Sequence, residues 1–341
     1  MTTNLIGRLL GPSDDVLTLL LRLLLSPLSL LYLALTTIRN ALYDTGLIGT
    51  TSVDVPVISI GNLTVGGTGK TPLVIALAER ALAAGRRVTI VTRGYGAVAD
   101  DEGRADEVAM IRDRVPEATI VVSPNKVLGA RQAQDEGAQV VLLDDGFQHR
   151  ALARDLDVVV LDARAPFAGG HVLPGGALRE SPSGIARADL IVLTHHDSVP
   201  EDVLEQTLIH VRAYRRDTPV VCGRHVPRFV QSVRGGETHP PESLAGVPVH
   251  LFSGVGNPEG FRHTVEQLGA DVVGQCVFPD HHDFDGSDVA SVRSRAGTAT
   301  LLCTEKDARK VARIPGNEDV LFLAVDMELE GELPALPGID D

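Results

Sequence analysis

The chain of 341 residues has no tryptophan, and only 4% of it is aromatic. Its hydrophobic share of 44% and mean hydropathy of +0.11 still make a sizeable core feasible and argue against disorder, so that core must be largely aliphatic. Cysteine is almost as scarce. Cys222, Cys276 and Cys303 stand far apart with no C-x-x-C pair, which argues against a disulfide framework or a zinc site and fits buried thiols in a reducing cytoplasm. Basic residues are outnumbered, 31 Lys and Arg against 45 Asp and Glu, for a formal net charge of -14. That balance argues against a general nucleic-acid binder, and an anionic substrate must be met by a local basic patch. There is no internal repeat or low-complexity block, and the length suits about two domains after a short appendage.

Charge is missing altogether from Leu23 to Ile38, and from Val16 onward Arg22 is the one interruption apart from a few hydroxyls. The uncharged run is slightly shorter than the ~20 residues that cross a bilayer. Pro27 is predicted to kink it, and Arg22 could snorkel to headgroups. No small-residue cleavage signature follows and the start is not basic, so the segment reads as retained. Leu19-Leu20-Leu21 and Leu30-Leu31 leave no polar stripe, which favours membrane attachment over a buried core helix. Spanning and lying in the interface both remain open.

Against these absences stands one dense motif. The apolar run Val55-Pro56-Val57-Ile58-Ser59-Ile60 is followed by Thr64-Val65-Gly66-Gly67-Thr68-Gly69-Lys70-Thr71 and then Pro72. This reads as a buried strand, a glycine-rich turn and a helix start, with Pro72 in the first helical turn, where a missing N–H costs little. Such a turn aims successive backbone N–H groups into one concavity that holds phosphate oxygens. Lys70 can reach outer phosphates and the Thr71 hydroxyl can ligate Mg²⁺. The substrate class is a nucleoside triphosphate, ATP before others. The usual G-x-x-x-x-G-K-[ST] pattern has a glycine where this chain has Thr64.

Short apolar runs alternate with helical patterns through the body of the chain. Strands are predicted over 57–60, 88–92, 119–122, 140–143, 158–161 and 190–194, with helices over 73–84 and 126–137. The alternation implies a parallel sheet covered by helices on both faces, with ligands at the carboxyl ends of the strands. A polar stretch from Val233 to Pro248 reads as a linker, and beyond it a smaller α/β unit begins with Val249–Phe252. The expected division is an N-terminal apolar segment over 1–45, a core over 46–235, a linker over 236–248 and a smaller unit over 249–341, whose acidic tail from Glu328 reads as loose.

Polar clusters follow several strands. Val140–Leu143 runs into Asp144-Asp145-Gly146-Phe147-Gln148-His149, where a phosphate-loop enzyme places its second metal-organising acid. Asp144 is assigned to the Mg²⁺ shell, and Asp145 is either metal-linked or substrate-facing, the two titrating together. Thr92-Arg93-Gly94-Tyr95-Gly96 offers close backbone approach and the five donors of Arg93 to phosphate. In the smaller unit, Phe278-Pro279-Asp280-His281-His282-Asp283-Phe284 could bind metal, supply a general base or simply be solvated, and one imidazole held by a carboxylate is the favoured reading. Thr304-Glu305-Lys306-Asp307 ends another strand, with Lys306 either holding phosphate or paired with neighbouring acids.

Together these motifs resemble the tetraacyldisaccharide 4'-kinase family, the lipid A 4'-kinases. The resemblance also covers Leu173-Pro174-Gly175-Gly176-Ala177-Leu178-Arg179-Glu180 and Phe252-Ser253-Gly254-Val255-Gly256-Asn257-Pro258, and that family too lacks the first glycine of the loop. It implies a P-loop NTPase-like parallel sheet, a smaller C-terminal α/β domain and a membrane-associated N-terminal helix. It also implies Mg-ATP as donor, an acylated disaccharide lipid as acceptor, and the cytoplasmic face of a bacterial inner membrane as location. Carried over by residue, Thr64, Val65, Gly66, Gly67, Thr68, Gly69, Lys70 and Thr71 hold the nucleotide. Thr71, Asp144, Asp145 and Glu180 serve the metal, and Asn62, Arg93, Gln148 and His149 serve the substrate. Asp106 is the catalytic aspartate with His281 as its partner. The chain departs from the family at Ala105-Asp106-Glu107-Val108, where Gly-Asp-Glu-Pro is usual, and at Thr194-His195, where Thr-Lys is usual. Two alternatives are a kinase of another membrane lipid alcohol and a membrane-tethered nucleotide switch. The switch would favour a guanine-reading Asn-Lys-x-Asp, and Asn125-Lys126-Val127-Leu128 lacks the final acid.

Overall fold

Apolar runs of about five residues, bounded by turns, become inner strands when both of their faces are covered. The computed structural model describes residues 15–94, 106–280 and 282–340, together with Leu9. In it β1 (Val57–Gly61), β2 (Val88–Thr92), β4 (Val140–Asp144) and β6 (Leu190–Thr194) are buried along their whole length. They form a parallel sheet with β3 (Thr119–Val122), β5 (Leu156–Asp162) and the start of β7 (Val220–Ser232), in the order β7-β6-β5-β1-β4-β2-β3. Helices α2 (Lys70–Ala83), α3 (Asp106–Arg114), α4 (Lys126–Asp135) and α5 (Glu201–Tyr214) connect these strands. Val57, Val91, Val121, Val141 and Leu143 pack with Ala130 and Ala133 of α4, while Val159, Leu161, Ile191 and Leu193 pack with Val211 of α5 and with Phe147. Each fully buried branched side chain contributes about 1.5–3 kcal/mol. The register places Ile60 beside Asp144 and Gly61 beside Val159, so the turn after β1 and the turn after β4 leave the sheet at the same edge.

The described residues form two units. One gathers 15–94, 111–224 and 329–340, the other 106–110, 225–280 and 282–328. The second has its own parallel strands β9 (Pro248–Ser253), β10 (Asp271–Val277), β11 (Thr300–Thr304) and β12 (Leu321–Glu330), in the order β10-β9-β11-β12. Helices α6 (Pro258–Gln267), α7 (Gly286–Ala296) and α8 (Glu305–Ala312) accompany them. The stretch read as a linker holds β8 (Thr238–His239), paired antiparallel with β7 at Val230 and Gln231. The tail is not loose. Leu336 and Ile339 are buried in the first unit, and the Asp340 carboxylate accepts from Arg80 at 2.8 Å and from the Leu336 amide at 2.9 Å.

The N-terminal apolar segment is one helix, α1 (Val16–Asp44), capped by Asp15, whose side chain accepts from the Thr18 amide. Its 29 residues give a length of about 43 Å. It is long and apolar enough to cross a membrane, with a mean hydropathy of 2.0 over its best window. Pro27 lies within it without dividing it. Pro27 has no N–H for the Leu23 carbonyl, and the Ser26 hydroxyl donates to that carbonyl instead, at 2.7 Å. The helix also carries the polar stripe that the leucine pairs obscured. Arg22, Ser26, Ser29, Thr36 and Asn40 recur at intervals of four, three or seven, which places them on one face. Leu23, Leu24, Leu28, Leu31 and Leu35 are exposed around the rest.

Candidate active site

The turn after β1 is shaped before any ligand arrives. Gly66 and Gly69 have φ of 112° and 86°, a region that side chains other than glycine seldom adopt. Gly69 is the N-cap of α2 and no side chain caps it, so the first amides of the helix stay available for an anion. Asn62, wholly buried, donates through Nδ2 to Thr68 Oγ1 at 3.0 Å, and the Thr194 hydroxyl donates to the Thr68 carbonyl at 3.0 Å. The Val65 amide donates to the Ala177 carbonyl and the Arg179 amide to the Leu63 carbonyl, both at 2.8 Å. Gly66 and Gly67 remain exposed, while Thr64 and Thr68 are buried.

The last of these backbone bonds brings Arg179 beside the acidic turn. Its Nη1 donates to both oxygens of Asp145 at 2.7 Å, and Lys70 Nζ lies 3.8 Å from Asp145 Oδ1. Burial works to raise the Asp145 carboxyl, but the charges of Lys70 and Arg179 outweigh it and hold the group below the usual carboxylate range. Asp145 itself sits at φ 53°, a left-handed backbone that a short polar side chain tolerates better than most. Asp144, buried at the end of β4, accepts from the Thr92 hydroxyl at 2.9 Å. Beneath the turn, Lys126 is 1% exposed and donates to the Val91 and Asp144 carbonyls at 2.8 and 2.7 Å. Burial pushes its ammonium down to about 8, against the pull of Asp144 and Asp145. His149 is also lowered, by burial first and then by Lys126, Arg93 and Arg39, so its ring is neutral at pH 7.

Glu180 is 3% exposed, and its carboxylate already serves three donors. Arg187 donates to both oxygens at 2.9 Å, Gln148 Nε2 to Oε1 at 3.0 Å and Asn40 Nδ2 of α1 to Oε2 at 2.8 Å. Gln148 Nε2 also donates to the Asn62 carbonyl at 2.9 Å. Tyr32 of α1 donates to the Arg179 carbonyl at 2.7 Å, and Arg39 donates to the Gln148 carbonyl. Tyr32, Arg39 and Asn40 thus bond α1 to the same loops that carry the charged centre.

A model of the tetraacyldisaccharide-1-P 4'-kinase family matches residues 21–336. The chain belongs to the tetraacyldisaccharide 4'-kinase family. It is 44% identical over 292 residues to the tetraacyldisaccharide 4'-kinase of Anaeromyxobacter dehalogenans (strain 2CP-C), covering 80% of this chain and 76% of that one. It is 37% identical over 337 residues to that of Syntrophus aciditrophicus (strain SB), covering 90% and 89%. Among solved structures, the apo form of LpxK from Aquifex aeolicus in complex with ATP superposes with a TM-score of 0.72 at 31% identity, covering 91% of this chain and 95% of that one.

Lys70 and Arg179 bring positive charge to the Asp145 carboxylate, and Thr71 follows Lys70 in the chain. The donors also fit Mg²⁺. Thr71 and Asp144 offer the hard oxygen atoms that such a cation takes, alongside phosphate oxygens and water. Glu180 instead has its oxygens engaged by Arg187, Gln148 and Asn40. Arg93 is exposed just beyond β2. His281 lies outside the described residues, as does the side chain of Asp106, the first residue of α3. In the second unit the imidazole held by a carboxylate is that of His282. Its Nε2 is 2.8 Å from Asp288 Oδ2, and its ring stacks on Phe278 at 4.7 Å. Lys306 bonds Asp280 at 3.0 Å.

Two residues of the charged centre were given no role from sequence. Arg179 stood inside the Leu173–Glu180 motif, yet nothing local says that it reaches Asp145. Lys126 was weighed only as part of a guanine-reading motif, since a buried lysine looks like any surface lysine until its strand neighbours are known.

Proposed function

We propose that this kinase transfers the γ-phosphate of ATP to the 4'-hydroxyl of an acylated glucosamine disaccharide 1-phosphate, at the cytoplasmic face of a bacterial inner membrane. The observation that carries the reading is the uncapped start of α2 at Gly69, with Lys70 beside an aspartate that Arg179 already holds ionised. The amides of Gly66–Gly69 cradle the triphosphate. Lys70 turns to the outer phosphates, and Arg179 stays bonded to both oxygens of Asp145. When bound, Mg²⁺ neutralises charge on the transferred group, with Thr71 and Asp144 as its protein donors. Asn62 fixes the loop through Thr68, and Gln148 fastens the Asn62 carbonyl to Glu180, so both position the site rather than touch the sugar. Neutral His149 offers the sugar a hydrogen bond, and Arg93 offers its donors to phosphate. Asp106, partnered by His281, takes the proton of the 4'-hydroxyl. The exposed leucines of α1 rest among lipid chains, where a tetraacylated acceptor lies.

Mass spectrometry of the disaccharide lipid after incubation with pure protein and Mg-ATP tests the reading, which requires the gain of one phosphate. Asp106→Ala should lower turnover by about 10²–10⁴ while leaving ATP binding largely intact. Wild-type turnover in that variant would remove Asp106 from the mechanism.

A further inference from the structure

The acidic turn after β4 has little backbone freedom. Its Gly146 amide donates to the Ile60 carbonyl of β1 at 2.9 Å. Glycines make that close approach possible. A β-carbon on Gly61 would sit 2.5 Å from Phe147 Cβ, and one on Gly146 would sit 2.6 Å from Ser59 Oγ. Three successive carbonyls of the turn are then taken by guanidinium groups. Arg39 donates to that of Gln148. Arg154 donates through Nη2 to that of Phe147 at 2.7 Å and through Nη1 to those of His149 and Leu152, both at 3.3 Å. Arg154 is itself anchored. Its Nε lies 2.8 Å from Asp157 Oδ2, and both side chains are only 10% exposed. Asp157 belongs to β5, where it pairs with Ser59 of β1, and its amide donates to Asp189 Oδ2 at 2.9 Å.

We propose that Arg154, anchored to β5 by Asp157, is a positioning residue of this kinase, which sets the peptides on both sides of Gln148 and thereby aims the His149 ring at the acceptor. The proposal rests on the reading above, in which His149 meets the sugar, and names what orients it.

A lysine would carry the same charge, but only the planar fork of an arginine serves several carbonyls and a carboxylate at once. An ion pair so far from water adds little stability over apolar side chains of the same volume, because desolvation offsets the attraction. What this pair supplies is direction. Without the fork, the Phe147 and His149 carbonyls need new donors, so their peptides turn and the imidazole turns with them. Asp145 is less exposed to that change, since Arg179 and Lys70 reach its carboxylate from outside the turn. The loss therefore falls on the acceptor and on transfer rather than on ATP.

The test is a double-mutant cycle between Arg154→Lys and His149→Ala in the full-length protein, read as kcat and as KM for ATP and for the disaccharide lipid in mixed micelles. Urea midpoints establish that each variant folds. Arg154→Lys should lower kcat/KM for the acceptor about 10- to 100-fold and leave KM for ATP within about twofold. In the His149→Ala background the same substitution should cost less than about threefold, since the group it aims is gone. An arginine that merely supports the fold would add its full kinetic cost in both backgrounds, and that additivity would overturn the proposal. Wild-type kinetics in Arg154→Lys or in His149→Ala would overturn it as well. Should Arg154→Lys fail to fold, Asp157→Asn takes its place in the cycle. Its amide keeps the volume and one acceptor for Arg154 Nε, so a smaller loss of about 3- to 10-fold is expected, again absent when His149 is gone. A wild type that leaves the disaccharide lipid unphosphorylated is a distinct result, which sinks the reading of the acceptor on which the proposal rests.

Discussion

The chain contains two versions of one local plan. β1 and β9 each run into a glycine-bearing turn and then a helix, Gly61 to Lys70 in the first case and Ser253 to Pro258 in the second. At α2 the N-cap is Gly69 with no side chain to close the helix, and the next residue is a lysine. At α6 the N-cap is Asn257, whose side chain accepts from the Gly260 amide at 2.9 Å. The Gly254 amide is likewise spent on Asp307 Oδ2 at 3.0 Å. Asp307 is wholly buried, and burial raises its carboxyl against the pull of Thr304, Gly254 and nearby lysines. Glycines at positive φ shape the first turn, at Gly66 and Gly69. What suits that turn to the phosphate-holding role proposed above is that no side chain caps its helix start and that its near neighbour is a cation.

Substitution can break that contrast from either side. The largest effect is expected for Lys70→Ala, which should lower kcat/KM for ATP by about 10²–10³ through loss of charge at the outer phosphates. Unaltered kinetics would contradict the cradle. Next, Arg179→Gln should cost about 10- to 100-fold in kcat/KM and should also change the acid behaviour. In wild type the Asp145 carboxyl is held low, so its contribution to stability is complete above the ordinary aspartate value of about 3.9 and is lost as pH falls through the lower folded value. Without Arg179, burial is opposed mainly by Lys70, the carboxyl rises, and the loss sets in at higher pH. Urea midpoints measured between pH 3 and 6 should show that displacement, and superimposable curves would refute it. The smallest effect belongs to the second turn. Asn257→Ala should cost about 1 kcal/mol of stability through the lost cap, read as a lower urea midpoint, while KM for ATP moves less than about twofold.

The same contrast explains what could be read without coordinates. Strands such as Val57–Gly61 and Val140–Asp144 are legible because a doubly covered strand is an unbroken apolar run with a marked end. β7 is not legible, because its 13 residues, with Cys222-Gly223-Arg224-His225-Val226-Pro227 among them, keep neither an apolar run nor an alternation. The phosphate loop was legible since its chemistry is contiguous. The partner that holds Asp145 was not, since Arg179 lies 34 residues away and arrives by backbone pairing of residues 177–179 with 63–65. On α1 the polar stripe was overlooked because leucine pairs dominate composition, whereas the stripe is defined by spacing.

The bonds from α1 to the catalytic loops bear on how a working protein can be made. Deleting the first 45 residues is the obvious route to a version that needs no detergent. That cut would take away Tyr32, which holds the Arg179 carbonyl, and Asn40, one of the three donors to Glu180. On the proposed reading the shortened protein would lose turnover even on a short-chain, water-soluble acceptor, because the loops that carry Arg179 and Glu180 lose their bonds to the helix.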